Sequence, residues 1–157
     1  MKITLPISVV SLASAAALLV AGCRPASQPA AQTAGHGHDH PSGPPHGGTP
    51  VLVGEHDFHL ELVNDTLSGK MLAYVLDDHM EHAESVPPVS FELIAKIGGQ
   101  EHRATFVAGD GSAPAATNVT VFSSEAAWFK TATSFEGRIP KITLGGETFE
   151  NVEFTYP

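Results

Sequence analysis

From Pro50 to the end of the chain, short runs alternate apolar and polar residues at every second position, broken by turn signals about every 8–12 residues. Successive side chains on a strand point to opposite faces, so this period describes half-buried strands rather than amphipathic helices. In Asp57–Leu62 the apolar residues Phe58, Leu60 and Leu62 share one face, leaving His59 on the exposed face beside Asp57 and Glu61. Met71–Leu76 is apolar on both faces, as in a central strand. Val89–Ile97 alternates again with Val89, Phe91, Leu93, Ala95 and Ile97 inward, and Gly98-Gly99 offers a two-residue hairpin turn into Gln100–Ala108. Thr117–Phe122 and Ser134–Ile139 read as further strands. Ile142–Leu144, a second glycine pair at Gly145-Gly146, and Thr148–Tyr156 form a closing hairpin.

These segments predict an all-β fold, an antiparallel immunoglobulin-like β-sandwich of about seven to nine short strands over residues 50–157. The cysteine pair that brackets the tryptophan of true immunoglobulin domains is absent, so the architecture alone is implied. Ser124–Phe129 is the one expected helical turn, capped by Ser123 or Ser124, with Trp128 plugging the end of the core.

The first 49 residues are of a different kind. Lys2 supplies a positive start, and Ile3–Ala21 carries no charge and is rich in Ala, Leu and Val. Pro6, Ser8, Ser11 and Ser14 suit it poorly to life as a lipid-embedded helix, and small residues gather at its end, as in an export signal. The ending Val20-Ala21-Gly22-Cys23 resembles the lipobox of bacterial lipoproteins, and the chain's single cysteine stands there. The resemblance implies a signal peptide over 1–22 and a lipid on Cys23 as the first mature residue. Stable anchoring takes two or more acyl chains, so the protein is expected to be exported and tethered to a bilayer. Arg24 in the second mature position resembles lipoproteins sent to an outer membrane, facing the periplasm, where the organism has two membranes.

Residues 23–49 then read as the lipidated cysteine and a disordered, His-rich tether of Pro, Gly, Ala, Ser and His, with no apolar period. Its reach is about 28 Å as a flexible coil. One cysteine permits no internal disulfide, so the domain must stand on its core, with no cofactor required for folding.

The chain has 8 basic and 17 acidic residues, which argues against nucleic acid as a partner and suits cations. No Gly-x-Ser-x-Gly elbow, phosphate-cradling glycine loop or His-Glu-x-x-His occurs, and an enzyme is not expected. Histidine is the outlier, with nine in the chain. His36, His38, His40 and His46 lie close together among flexible glycines, with Asp39 as an added oxygen donor; neutral imidazole suits Zn(II), Cu(II) and Ni(II) alike.

A second cluster is Asp77-Asp78-His79-Met80-Glu81-His82. One helical turn there puts His79 and His82 on one face, with Cβ atoms about 5–6 Å apart and Asp78 or Glu81 completing a mixed site. The other reading is a charged, solvated loop. His56 and His59 are weaker candidates, because positions three apart on a strand face opposite ways unless the strand begins after His56. His102 reads as a packed or rim histidine.

His46-Gly47-Gly48, Val53-Gly54-Glu55-His56, Phe58-His59-Leu60-Glu61-Leu62-Val63 and Tyr74-Val75-Leu76-Asp77 together resemble small exported domains of heavy-metal handling systems. These include free lipoproteins and domains attached to the periplasmic adaptors of metal efflux pumps. The resemblance covers residues 46–82. It implies a sandwich and a link to metal homeostasis, carries over His46, His56 and His59, and makes a metal efflux or envelope protein an expected partner. The adaptor's coiled-coil and barrel segments have no counterpart, so pump function is not implied. Two functions are expected on these grounds: a membrane-anchored metal-ion buffer, scavenger or delivery protein, or an envelope interaction module with incidental histidines.

Overall fold

A computed structural model describes residues 43–111 and 117–157. The chain divides into two units, Met1–His36 and Gly37–Pro157; the first lies outside the described residues, and the second contains all of them. Apart from one 3₁₀ turn, Ala127–Lys130, all regular structure among the described residues is strand. The strands are β1 (Thr49–Val53), β2 (Phe58–Asp65), β3 (Lys70–Leu76), β4 (Phe91–Ile97), β5 (Gln100–Ala108), β6 (Val121–Glu125), β7 (Phe135–Leu144) and β8 (Glu147–Tyr156).

The fold is all-β, and every neighbouring pair is antiparallel. The eight strands hydrogen-bond into one sheet in the order β1-β2-β3-β6-β5-β4-β7-β8. β5 carries the sheet round its corner: Gln100–Phe106 pair with β4, then Val107 and Ala108 pair with β6. The end strands β1 and β8 come against each other, and Phe149 of β8 meets Phe58 of β2 edge-on at 6.2 Å, so the sheet is nearly closed. The enclosed core holds Leu60, Leu62, Met71, Leu93, Phe106, Phe122, Phe129, Ile139 and Leu144, all fully buried. Phe91 stacks on Phe106 with centroids 4.9 Å apart, and Trp128, half-buried, lies 4.2 Å from Phe129.

Both glycine pairs form the hairpins that the sequence predicts. Gly98 and Gly99 take φ of 56° and 84°, Gly145 and Gly146 of 59° and 89°; two successive positive φ values are what a two-residue turn between right-twisted strands demands.

Several boundaries differ from expectation. β1 is an additional strand, with Val51 and Val53 buried on alternate positions. Val89 lies before β4 and is exposed. β6 runs over Val121–Glu125 rather than Thr117–Phe122, because Val119 makes only an isolated bridge to Val86. Ser123 and Ser124 cap nothing: they pair with Leu72 and Met71 of β3, and the 3₁₀ turn starts from Ala126 without a side-chain cap. The segments expected on either side of Pro140 are one strand, β7. Proline lacks a donor, but the pairing of β7 with β4 has already ended at Arg138, and on the β8 side Asn151 turns to φ 54° between the paired Val152 and Glu150.

Candidate functional site

β2 and β3 have a second apolar-looking face, turned away from the core. On it lie His59, Glu61 and Val63 of β2, opposite Leu76, Tyr74 and Leu72 of β3. Two irregular segments cover this face. One is residues 43–48, which enter β1; the other is the loop that follows β3 and returns to it through the Leu76–Ala83 bridge.

Glu61 is the correction that matters most. Alternation places it on an exposed face, yet its exposure is 0%. Pro50 and Tyr74 flank it on β1 and β3, and the chain from His46 to Gly48 closes over it. Its carboxylate accepts three hydrogen bonds: Oε1 from the backbone N–H of His46 and of Gly48, each at 2.8 Å, and Oε2 from His46 Nδ1 at 2.6 Å. The His46 ring also lies flat on Tyr74, with centroids 3.7 Å apart and planes 6° apart. Gly48 permits the approach, since a Cβ there would stand 2.6 Å from the carbonyl oxygen of Leu62. His46, assigned to the tether by composition, is therefore held on the folded domain.

The Asp77–His82 segment is a turn and bend rather than a helical turn, with Met80 at φ 59°. Asp77 organises it. Its N–H donates to the His82 carbonyl, its carbonyl accepts from Met80 N–H and from His59 Nδ1 (3.3 Å), and its carboxylate accepts from Glu81 N–H (2.8 Å) and His82 Nδ1 (3.0 Å). Burial alone would raise the Asp77 carboxyl, but the Glu81 amide and the His82 ring and backbone outweigh it and hold the pKa below the ordinary value. His79 pairs separately with Asp78 at 2.5 Å. That hydrogen bond, with the charge of Asp78 and the weaker fields of Glu81 and Asp77, raises the His79 pKa.

His79 and His82 are thus highly exposed, and each is held by its own aspartate. The expected arrangement of both rings on one helical face with Asp78 or Glu81 is not formed, because the loop's internal hydrogen bonds to Asp77 replace helical ones. His56 lies exposed in the turn before β2, which begins only at Phe58. A shallow cleft of about 280 Å³ brings His56, Asp57, Asp78 and Glu147 to the same end of the sheet. His102 sits at the rim, its ring centroid 5.7 Å from that of Trp128. Among the described residues, no three of the His, Cys, Asp and Glu side chains stand together as a ready metal site. Cys23, His36, His38, Asp39 and His40 lie outside the described residues, as does the uncharged run Ile3–Ala21; among the described residues no helix is long and apolar enough to cross a membrane.

Four imidazoles share one feature that sequence reading missed. Nδ1 of His46, His59, His79 and His82 meets a carboxylate or carbonyl oxygen, groups that accept hydrogen bonds. In each, Nδ1 must donate, so in the neutral ring Nε2 carries the lone pair. Only His79 and Asp78 are adjacent in sequence; the other partners are brought together by the β1–β2 and β2–β3 registers and by the loop after β3. No protein-family model, curated protein or solved structure matches the chain.

Proposed function

We propose that this protein is an exported, lipid-anchored β domain that binds transition-metal ions, of the Zn(II), Cu(II) or Ni(II) class, as a buffer, scavenger or delivery protein. The observation that carries this reading is the common state of the four imidazoles. Histidines that ligate metals donate their other ring N–H to a carboxylate or a backbone carbonyl, which sets the tautomer and raises the basicity of the ligating nitrogen. His46, His59, His79 and His82 have that outer partner already in place. The histidines at 36, 38 and 40 and the acidic excess of the chain support the same chemistry, and Cys23 after Val-Ala-Gly supports the anchor.

Calorimetric titration of the protein with each of the three ions tests this. Several ions are expected to bind per chain, fewer after His36, His38 and His40 are replaced by Ala. Ions held by His79 or His82 should raise the melting temperature by mass action, an effect lost in His79→Ala/His82→Ala. Absence of binding for all three ions at micromolar concentration rejects the metal reading, and an envelope interaction module takes its place.

A further inference from the structure

Three donors from one short segment converge on one buried carboxylate. His46 N–H, Gly48 N–H and His46 Nδ1 all donate to Glu61, which has no solvent contact of its own. Burying a carboxylate is costly unless its oxygens are satisfied. Docking of residues 43–48 on the outer face of β2 and β3 and the satisfaction of Glu61 are therefore one event. The docked ring has one face on Tyr74 and Nδ1 on Glu61, while its side chain is still 40% exposed. Nε2 is the ring nitrogen that Glu61 does not engage.

We propose that a divalent transition-metal ion bound at His46 Nε2 fastens residues 43–48 onto β2 and β3, with Glu61 as the positioning residue. Ion capture and docking of the chain that leads into the domain are then a single linked equilibrium. This rests on the metal-binding reading above. The chemistry is direct: a cation on Nε2 draws electron density from the ring, makes Nδ1–H a stronger donor, and so strengthens the bond to Glu61. The carboxylate in turn raises the affinity of Nε2 for the ion. A ligand that prefers the docked form shifts the docking equilibrium by mass action, and docking strengthens binding by the same factor.

Amide hydrogen exchange at His46 and Gly48, the two backbone donors to Glu61, reads this coupling in the full chain with and without Zn(II). At free Zn(II) of about 100 times the Kd, exchange at both amides is expected to slow by up to about a hundredfold, while the Gly98-Gly99 turn is unaffected. The ¹⁵N resonance of His46 Nε2 should move on titration. In Glu61→Gln the affinity at His46 should fall about 10–100-fold and the protection should no longer respond to metal. Should that variant not fold, His46→Phe keeps a flat ring for Tyr74 and the backbone donors, and Gly48 exchange must become insensitive to Zn(II). If calorimetry shows ions bound while exchange at His46 and Gly48 is unchanged, the coupling is wrong and the metal-binding reading stands. Retention of the Zn(II) response in His46→Phe also overturns the assignment. If no ion binds at all, both fall together.

Discussion

Glu61 and His79 are both carboxylate–histidine partners, but burial makes them different in kind. Glu61 is sealed under residues 46–48 with no exposure of its own. His79 and Asp78 face solvent, where an ion pair contributes little to stability but still biases titration. The raised pKa of His79 gives a signed expectation. Its protonated form is favoured in the folded state, so any stability it adds is complete below the unfolded value and is lost as pH rises through the folded value. Metal binding needs the neutral ring and runs the opposite way, weakening as pH falls through that same raised midpoint. In metal-free protein, NMR titration should place the His79 midpoint above the ordinary value of about 6.5, and Asp78→Asn should bring it back down. A wild-type midpoint at or below the ordinary value rejects the pairing.

At the scale of elements, the 3₁₀ turn after β6 does more for the core than its length suggests. Phe129 is fully buried, 6.4 Å edge-on to Phe106, and its carbonyl accepts from Asn64 Nδ2 at 2.8 Å. Phe129→Ala should cost about 3–5 kcal/mol in chemical denaturation, from lost burial and the cavity left behind. A loss below about 1 kcal/mol would mean that neighbours collapse into the space. Trp128, the expected plug, packs half-buried against the core beside Phe129 and Phe135, while Phe129 is the residue of the turn that is fully enclosed. The hairpins were legible, because a Gly-Gly pair between alternating runs admits few other structures. The start of β6 was not, since Thr117–Thr120 alternates as well as a strand but makes only the bridge of Val119 to Val86 and one hydrogen bond, from Val75 N–H to the Thr120 carbonyl.

For the whole molecule, the question is where the domain begins. Deletion of residues 24–42 should leave the melting temperature in metal-free buffer within the scatter of surface changes, about 0.5 kcal/mol, because that Pro-, Gly-, Ala-, Ser- and His-rich stretch has no apolar period. Deletion of residues 24–48 removes all three donors to Glu61 together with the chain that covers it and should cost about 1–3 kcal/mol, the usual loss when a buried acceptor is deprived of its donors. Equal melting temperatures for the two deletions would show that Glu61 is satisfied by other means. Period-two alternation and glycine pairs are local properties, so the order of residues alone settles the all-β class, the two hairpins and most inward-facing residues. The fate of Glu61 and His46 depends instead on how distant segments pack. Alternation tells which face of β2 a side chain takes, but not whether that face meets water or another part of the chain. Here the segment 43–48, poor in apolar residues and readable only as a linker, covers it by hydrogen bonds and one stacked ring, which leave no periodic trace in sequence.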